Sequence, residues 1–169
     1  MSVAIRFLRA EDVEPIARAF QQLGWHKPAA QYQNYLRAQQ EGRRIVPVAF
    51  VDDEFAGYLN VVWRSDYPPF QAERIPEIQD FNVLPHVRRR GIGSRLMDEA
   101  EQLIAQRSIL AGIGVGLTAD YGAAQRLYVV RGYVPDGRGL MWRNQPVSYG
   151  AQVTVDDALT LHLVKRVAT

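Results

Sequence analysis

The stretch VLPHVRRRGIGSRLMDEAEQLIAQR, residues 83–107, contains the pattern that decides the fold of this chain. After Gly91, apolar residues recur at the spacing of one helix face, which predicts an amphipathic helix. They are Ile92, Leu96, Met97, Ala100, Leu103 and Ile104. Gly91 and Gly93 lack a Cβ, so the backbone can turn sharply and a ligand can approach the first N–H groups of the helix. Such a helix start attracts anions.

Three consecutive arginines, Arg88, Arg89 and Arg90, precede this helix and begin what we call the basic loop, residues 88–93. A guanidinium group matches the geometry of phosphate oxygens, so side-chain charge, helix dipole and backbone donors converge on one place. Ser94 lies in the first turn of the helix, where a serine caps the helix or contacts a phosphate. The segment therefore predicts a phosphate or pyrophosphate site.

Two other phosphate-binding patterns fit this segment poorly. A P-loop requires G-x-x-x-x-G-K-[ST], but Gly91 and Gly93 are too close together and no lysine lies in the loop or helix. A dinucleotide-binding fold requires G-x-G-x-x-G directly after a strand, and Leu96 occupies the place of the third glycine. No acidic residue follows at the distance that binds ribose. The P-loop is excluded, and the dinucleotide pattern is weak.

The pattern that the segment does match is [QR]-x-x-G-x-[GA], filled by residues 88–93. A second segment, GIGVGLTADYGAAQRLYVVRGYVPDG, predicts a strand and then a helix that contains A-x-x-L-Y and ends in G-[FY]. These positions are Ala124, Leu127, Tyr128, Gly132 and Tyr133. In order and spacing the two segments, which span 77–137, resemble the acetyl-CoA-binding region of the GNAT superfamily of N-acetyltransferases. One departure is Tyr121, which stands where the family often has an asparagine.

The resemblance implies that acetyl-CoA is a co-substrate and that no metal takes part. The implied binding residues are Phe81, Val83, Arg88, Arg89, Arg90, Gly91, Ile92, Gly93, Ser94, Ala124 and Tyr128. Tyr128 would protonate the departing CoA thiolate as a general acid. Glu77, on the strand before the loop, would be the general base, by similarity to family members that use an acid there. Asp80 is the alternative, and its odd separation from Glu77 predicts that the two side chains point to opposite faces.

The acceptor is expected to be a primary amine of a small molecule or a protein. Trp25, Trp63 and Tyr67 are expected to line its pocket, where aromatic faces attract a cationic amine. Ordinary packing of these aromatic residues on a sheet is the alternative. The chain has no cysteine to carry the acyl group, so the amine would attack acetyl-CoA directly in a ternary complex. A non-catalytic sensor of CoA or acyl-CoA, or an assembly module, is the alternative function, because the loop requires only binding.

Length and composition restrict the class of protein. The 169 residues suit a single N-acetyltransferase domain, which we expect to span 1–169. No apolar run approaches the ~20 residues of a membrane span, and no signal peptide is evident, so we expect a cytoplasmic protein without a membrane partner. The net charge is +2 with scattered basic residues, which argues against a nucleic-acid partner. A homodimer is compatible with the sequence.

The order of predicted elements is a strand, two helices, three strands, a helix, a strand, a helix and then further strands. This order predicts an α/β fold with a mixed, mostly antiparallel central sheet flanked by helices, as the resemblance to the GNAT-like acyl-CoA N-acyltransferase fold also implies. The segment from Arg64 to Arg74 contains Pro68 and Pro69, and we expect no regular structure there.

Overall fold

The computed structural model of the protein describes residues 2–169. Within them, the strands are β1 Val3–Phe7, β2 Arg44–Ile45, β3 Pro47–Val51, β4 Glu54–Val62, β5 Glu77–Val83, β6 Leu110–Gly116, β7 Val134–Trp142, β8 Gln145–Pro146 and β9 Leu159–Arg166. The α-helices are α1 Val13–Gln22, α2 Ala29–Gln40, α3 Pro68–Glu73, α4 Ile92–Ala105 and α5 Gly122–Val130. The chain divides into two compact units: a first unit, residues up to 62 with 79–103, and a second unit, residues 63–78 with 104–169.

The first unit contains an antiparallel set of strands at the N-terminal end of the chain. Strand β1 pairs with β3, β3 pairs with β4, and β2 pairs with β4. The sequence Asp52-Asp53-Glu54 between two β-rich runs predicts a hairpin turn. Strands β3 and β4 form this hairpin, and Asp52 and Asp53, with φ of 48° and 68°, adopt the left-handed conformation of tight hairpin turns. Helix α1 buries one apolar face, formed by Val13, Ile16 and Phe20.

The amphipathic pattern predicted for α4 is confirmed. Its buried positions are Ile92, Leu96, Met97, Ala100 and Ile104, which recur at the spacing that places residues on one side of a helix. Leu103 is half-buried. Among residues 2–169, no helix combines the length and the apolar character that crossing a membrane requires.

The second unit contains the parallel pairing of the fold. Strand β5 pairs with β6 in parallel at Glu77↔Gly112 and Ile78↔Ile113. Strand β9 is antiparallel to both β6 and β7, and β7 is antiparallel to β8. These pairings confirm the predicted fold class, an α/β fold with a mixed, mostly antiparallel sheet flanked by helices. The single domain over residues 1–169 stays a prediction.

The expectation that the segment from Arg64 to Arg74 lacks regular structure is wrong, because α3 lies within it. Pro68 and Pro69 occupy the first positions of this helix. The N–H groups of a first turn have no intrahelical acceptor, and the φ of proline suits a helix, so proline is favoured there. The helix ends at Arg74, whose φ of 56° lies in the left-handed region.

The C-terminal strands differ from the prediction in two details. The sequence Asp136-Gly137-Arg138-Gly139 predicts a turn between two strands. Strand β7 is instead continuous, and only its pairing with β9 is irregular between Pro135 and Leu140. Gly137 and Gly139, with φ of 83° and 76°, accommodate this irregularity. Strand β8 was not predicted, because two residues are too few to produce an alternating pattern.

A close approach of two backbones in the first unit depends on Gly57 in β4. A Cβ built on this residue would lie 2.5 Å from the carbonyl oxygen of Asn82 and 3.0 Å from the Cα of Val83. Both are backbone atoms, so no side-chain rotation can relieve the overlap. We expect Gly57→Ala to lower the free energy of unfolding by about 1–3 kcal/mol, the usual cost of overpacking, as measured by urea unfolding.

Gly122→Ala is the matched control for this substitution. No atom lies within 4 Å of a Cβ built on Gly122, the first residue of α5. Alanine also favours a helix over glycine by up to about 1 kcal/mol. The control should therefore leave stability unchanged or raise it slightly. Equal unfolding free energies for Gly57→Ala and the wild type would contradict the close approach.

Candidate active site

The basic loop follows β5, includes the first two residues of α4 and contains a sharp turn of the backbone. Arg89 and Gly91 have φ of 61° and 78°, and α4 begins directly afterwards. The N–H of Arg95 donates to the carbonyl of Gly91 at 3.0 Å, which starts the helical hydrogen-bond pattern. Helix geometry gives the N–H groups of Ile92 and Gly93 no acceptor within the helix. These donors are available to a ligand.

The side chains of the basic loop fit an anionic group such as a pyrophosphate. Arg88, Arg89 and Arg90 are exposed and have no acidic partner within residues 2–169. The Nε of Arg88 donates to the carbonyl of Val83 at 2.9 Å, which holds this side chain against the end of β5. A Cβ built on Gly91 would meet no atom within 4 Å, so the backbone is open on that side. The loop therefore presents positive charge and backbone donors together.

A polar network in the first unit surrounds Asp80, in the middle of β5. The ammonium group of Lys27 lies 2.6 Å from Oδ1 of this carboxylate. The other hydrogen-bond donors to the carboxylate are Gln31, Tyr35, Tyr58 and Asn82. Asp80 has a φ of 46°, a left-handed conformation that is unusual inside a strand. The network therefore fixes both the charge and the backbone of β5 at this point.

These contacts argue against Asp80 as the general base. Burial acts to raise the pKa of Asp80, but the charge of Lys27 and the hydrogen bonds from Lys27, Tyr58 and Tyr35 outweigh it, so the pKa lies below its ordinary value. A carboxylate that is stabilised as an anion accepts a proton poorly. The left-handed φ of Asp80 also removes the basis for the predicted alternation of side chains along β5.

The predicted general base, Glu77, belongs to a buried polar cluster in the second unit. It is 6% exposed, and its Oε2 accepts a hydrogen bond from the Oγ of Ser65 at 2.5 Å. The same Oγ accepts the N–H of Tyr67 at 3.0 Å. The Nε2 of His162 lies 3.9 Å from Oε1 of Glu77. Gly114 leaves room for this pair, because a Cβ there would lie 3.2 Å from Nε2 and 3.6 Å from Oε1.

The sequence predicts no role for His162, yet the residue is a neighbour of Glu77. Its ring stacks on Tyr67, with centroids 3.6 Å apart and planes at 9°. Burial lowers the pKa of His162 to about 4, despite the opposing charge of Asp136. The imidazole is therefore neutral at neutral pH, and its contact with Glu77 is not an ion pair under that condition. Within residues 2–169 its Nδ1 has no hydrogen-bond partner.

Tyr128, the predicted general acid, is buried on α5 with 4% of its surface exposed. Its ring centroid lies 6.1 Å from that of Tyr133. Burial, with a smaller effect of Tyr121, raises the pKa of Tyr128 above its ordinary value. The phenol therefore keeps its proton through neutral and mildly alkaline pH. Ala124 precedes it by one helical turn and is half-buried.

The three aromatic residues predicted to line the acceptor pocket have different environments. Trp25 is 37% exposed and stacks on Phe20, with ring centroids 5.7 Å apart. Tyr67 is almost fully buried, and its hydroxyl donates to Asp136 at 2.8 Å, which is typical of core packing. Trp63 is half-buried and lines an open cleft. A pocket role for these residues stays a prediction.

The cleft at Trp63, which we call the Trp63 cleft, lies entirely in the second unit and has a volume of about 380 Å³. Its apolar walls are Trp63, Phe70 and Ile75. Ser65 and Gln71 are its neutral polar residues, and Arg64 and Arg74 supply positive charge. Ser65 is also the hydrogen-bond donor to Glu77, so one residue is common to the cleft lining and the buried polar cluster.

The residues predicted to form the site lie in both units. Phe81, Val83, the basic loop, Ser94 and Trp25 belong to the first unit. Glu77, Ala124, Tyr128, Trp63 and Tyr67 belong to the second. Within residues 2–169, no group of three or more histidine, aspartate or glutamate side chains is arranged to hold a metal ion.

Solved structures similar to this chain define its class of fold. An N-acetyltransferase from Staphylococcus aureus Mu50 has a TM-score of 0.72 at 16% identity, over 99% of both chains. Ard1 from Thermoplasma volcanium has a TM-score of 0.69 at 23% identity, over 98% of both chains. A ribosomal-protein-alanine N-acetyltransferase from Brucella melitensis has a TM-score of 0.70 at 16% identity, over 96% of this chain and 99% of that chain. These identities establish the fold alone.

The class that this fold defines is the N-acetyltransferase fold. The model of the acetyltransferase (GNAT) family matches residues 10–133, well over half of the chain. The chain therefore belongs to the GNAT acetyltransferase family, which confirms the resemblance seen in the sequence. A search of curated proteins found no match.

The Asp80 network makes a prediction about stability. Asp80→Asn keeps the shape of the side chain but leaves the ammonium group of Lys27 without its partner. We expect the free energy of unfolding to fall by about 3 kcal/mol at neutral pH. Because the folded pKa lies below the unfolded value of about 3.9, the stabilisation is complete above that pH and is lost as the pH falls through the folded pKa. Urea unfolding at neutral and acid pH measures both effects.

Asp53→Asn is the matched control for Asp80→Asn. Asp53 is exposed and has a φ of 68°, so this substitution also exchanges aspartate for asparagine in a left-handed residue. It should change stability little at neutral pH. If Asp80→Asn is as stable as Asp53→Asn at neutral pH, the network does not stabilise the first unit.

Proposed function

We propose that the protein transfers an acetyl group from acetyl-CoA to a primary amine of a small molecule or a protein, by direct attack in a ternary complex. The observation that carries the proposal is the basic loop, which combines exposed guanidinium groups with the start of α4 in a chain of the GNAT acetyltransferase family. A pyrophosphate, as in acetyl-CoA, is an anion of the kind that such a loop binds. The thioester supplies the acyl group.

Glu77 is the proposed general base. A primary alkyl amine has a pKa of about 10.4, so it must lose a proton before it attacks the thioester. A buried carboxylate beside a neutral imidazole can accept that proton, directly or through a water molecule. The hydrogen bond from Ser65 holds the carboxylate in one orientation and links it to the Trp63 cleft. This link supports a role for the cleft in holding the amine.

Tyr128 is the proposed general acid. Its raised pKa means that the phenol carries a proton at the pH of reaction and can give it to the departing CoA thiolate. The chain contains no cysteine, so no acyl-cysteine intermediate competes with direct transfer. The acceptor is one of two classes, a small molecule or a protein, and the name of the Brucella structure gives a protein acceptor for that relative.

A second candidate function is a non-catalytic sensor of CoA, and Tyr121 is the observation that favours it. A Cβ built on Gly116 would lie only 2.4 Å from the ring of this tyrosine, so the ring packs directly on Gly116. The tyrosine hydroxyl donates to Asp157 at 2.9 Å. The family often has an asparagine here, and the tyrosine has a packing role instead. A sensor would bind acetyl-CoA without turning it over.

Binding of acetyl-CoA to the basic loop can be tested at Gly93, which lies in the first turn of α4. Gly93→Val places a branched side chain where the backbone should meet the pyrophosphate, so we expect acetyl-CoA to bind at least about tenfold more weakly. Gln102→Val is the matched control, since Gln102 is exposed further along the same helix. Calorimetric titration gives both affinities. Equal affinities in the two variants would count against the loop as the binding site.

Catalysis can be tested at Tyr128 with a panel of amines and an assay for released CoA thiol. Tyr128→Phe should lower turnover by about 10²–10⁴, the usual contribution of a general acid, and should affect acetyl-CoA binding far less, because the aromatic ring is kept. The wild-type rate should fall only above about pH 10, because burial raises the pKa of Tyr128 above that ordinary value.

Tyr149→Phe is the control for this test, because Tyr149 is fully exposed, and it should retain wild-type turnover. Initial-rate lines for the two substrates should intersect, as direct transfer requires both to be bound together. Parallel lines would contradict the ternary complex. CoA binding with no turnover of any amine in wild type or Tyr128→Phe would favour the sensor.

A further inference from the structure

The Trp63 cleft has a charge that the proposed reaction does not require. Arg64 and Arg74 line it, and neither has an acidic partner within residues 2–169. The cleft lining contains no aspartate or glutamate. The guanidinium group of Arg107 is not part of the lining but lies 4.1 Å from the centroid of the Trp63 ring, which adds positive charge near the cleft. The cleft is therefore positively charged, although an amine acceptor alone would be repelled by such charge.

The acidic residue of the adjoining helix does not neutralise these arginines. Glu73, at the end of α3, accepts a hydrogen bond from Arg138 at 3.0 Å and is engaged in that pair. Glu77 is buried and accepts a hydrogen bond from the hydroxyl of Ser65, a residue of the cleft lining. A molecule in the cleft would thus meet guanidinium groups in the lining and, beyond Ser65, the proposed general base.

The uncharged part of the lining indicates what else the ligand contains. Trp63, Phe70 and Ile75 provide apolar surface, and Gln71 provides one amide. A volume of about 380 Å³ suits a small organic molecule, because ligand pockets begin at roughly 300 Å³. Two guanidinium groups beside apolar walls match an anionic oxygen group attached to an apolar body.

We propose that the Trp63 cleft binds the acceptor, and that the acceptor is a small primary amine that also carries an anionic oxygen group, a carboxylate or a phosphate, on an apolar body. This inference rests on the proposed acetyl transfer and specifies its substrate class. Arg64 and Arg74 hold the anionic group, and the apolar walls hold the body. The amine is presented toward Ser65 and Glu77, where it loses its proton.

Binding can be tested without the reaction. Hydrocinnamate and phenyl phosphate contain an anionic group and an apolar ring but no amine, so neither can be acetylated; hydrocinnamamide is the neutral control. Calorimetry with the full chain should show binding of at least one anion, at least about tenfold tighter than the amide. Arg64→Gln and Arg74→Gln should each weaken it about tenfold, as the loss of a charged hydrogen bond predicts.

Arg43→Gln is the control variant, because Arg43 is exposed in the first unit and already paired with Glu41. It should leave anion binding unchanged. The preferred anion distinguishes a carboxylate acceptor from a phosphate acceptor. No binding of either anion, or binding that Arg64→Gln and Arg74→Gln leave intact, overturns the proposal.

Turnover separates this inference from the proposed function. With acetyl-CoA, the protein should acetylate L-phenylalanine or tyramine O-phosphate in preference to its counterpart without the anionic group, L-phenylalaninamide or tyramine. Arg64→Gln should raise KM for the anionic amine with little change in kcat. Faster acetylation of the counterparts without the anionic group overturns the proposed substrate class but does not contradict acetyl transfer itself. Arginine-dependent anion binding with no acetylation of any amine overturns the proposed function and supports the anion site.

Discussion

The half-buried charge of Asp80 is the constraint on which the first unit depends. A carboxylate removed from water is unstable unless charged and polar partners replace the water. Lys27, Tyr35 and Tyr58 supply those partners from the segment before α2, from α2 and from β4. The same contacts hold a left-handed residue inside β5, a conformation that costs roughly 1–2 kcal/mol. The strand that leads to the basic loop is therefore shaped by one ion pair and its hydrogen bonds.

In the second unit, the corresponding constraint is the absence of a side chain at three successive positions on one face of β6. Three glycines alternate along this strand and so share a face: Gly112, Gly114 and Gly116. A Cβ on each would lie 2.3 Å from the ring of Phe70, 3.2 Å from His162 and 2.4 Å from the ring of Tyr121, respectively. The rings rest directly on the strand because no Cβ intervenes. Glu77 and the imidazole of His162 can approach each other because Gly114, on the same face, has no side chain.

Sequence patterns predict the parts of the protein that local geometry determines. Helix α4 follows from its periodicity, and the left-handed turn at Gly91 follows from the missing Cβ. Helix α3 is not predicted if proline is treated only as a helix breaker, because Pro68 and Pro69 begin this helix. The partners of Asp80 and Glu77 are distant in sequence, so only the fold brings them together. No sequence signal marks His162, because the alternation of Leu159, Leu161 and Leu163 places it on the opposite face of β9, and only the fold buries that side chain.

Two sets of arginines in the protein differ in what they face. Arg6 binds Asp12 through two N–H groups at 2.6 and 2.7 Å, and Arg138 binds Glu73 at 3.0 Å; these pairs join segments of the chain. The arginines of the basic loop and of the Trp63 cleft have no acidic partner within the described residues. The net charge is only +2, so this unpaired positive charge is local. A guanidinium group without a carboxylate attracts an anion from solution. Each unit, taken by itself, therefore has a place for an anion, which supports an anionic co-substrate in the first and an anionic acceptor in the second.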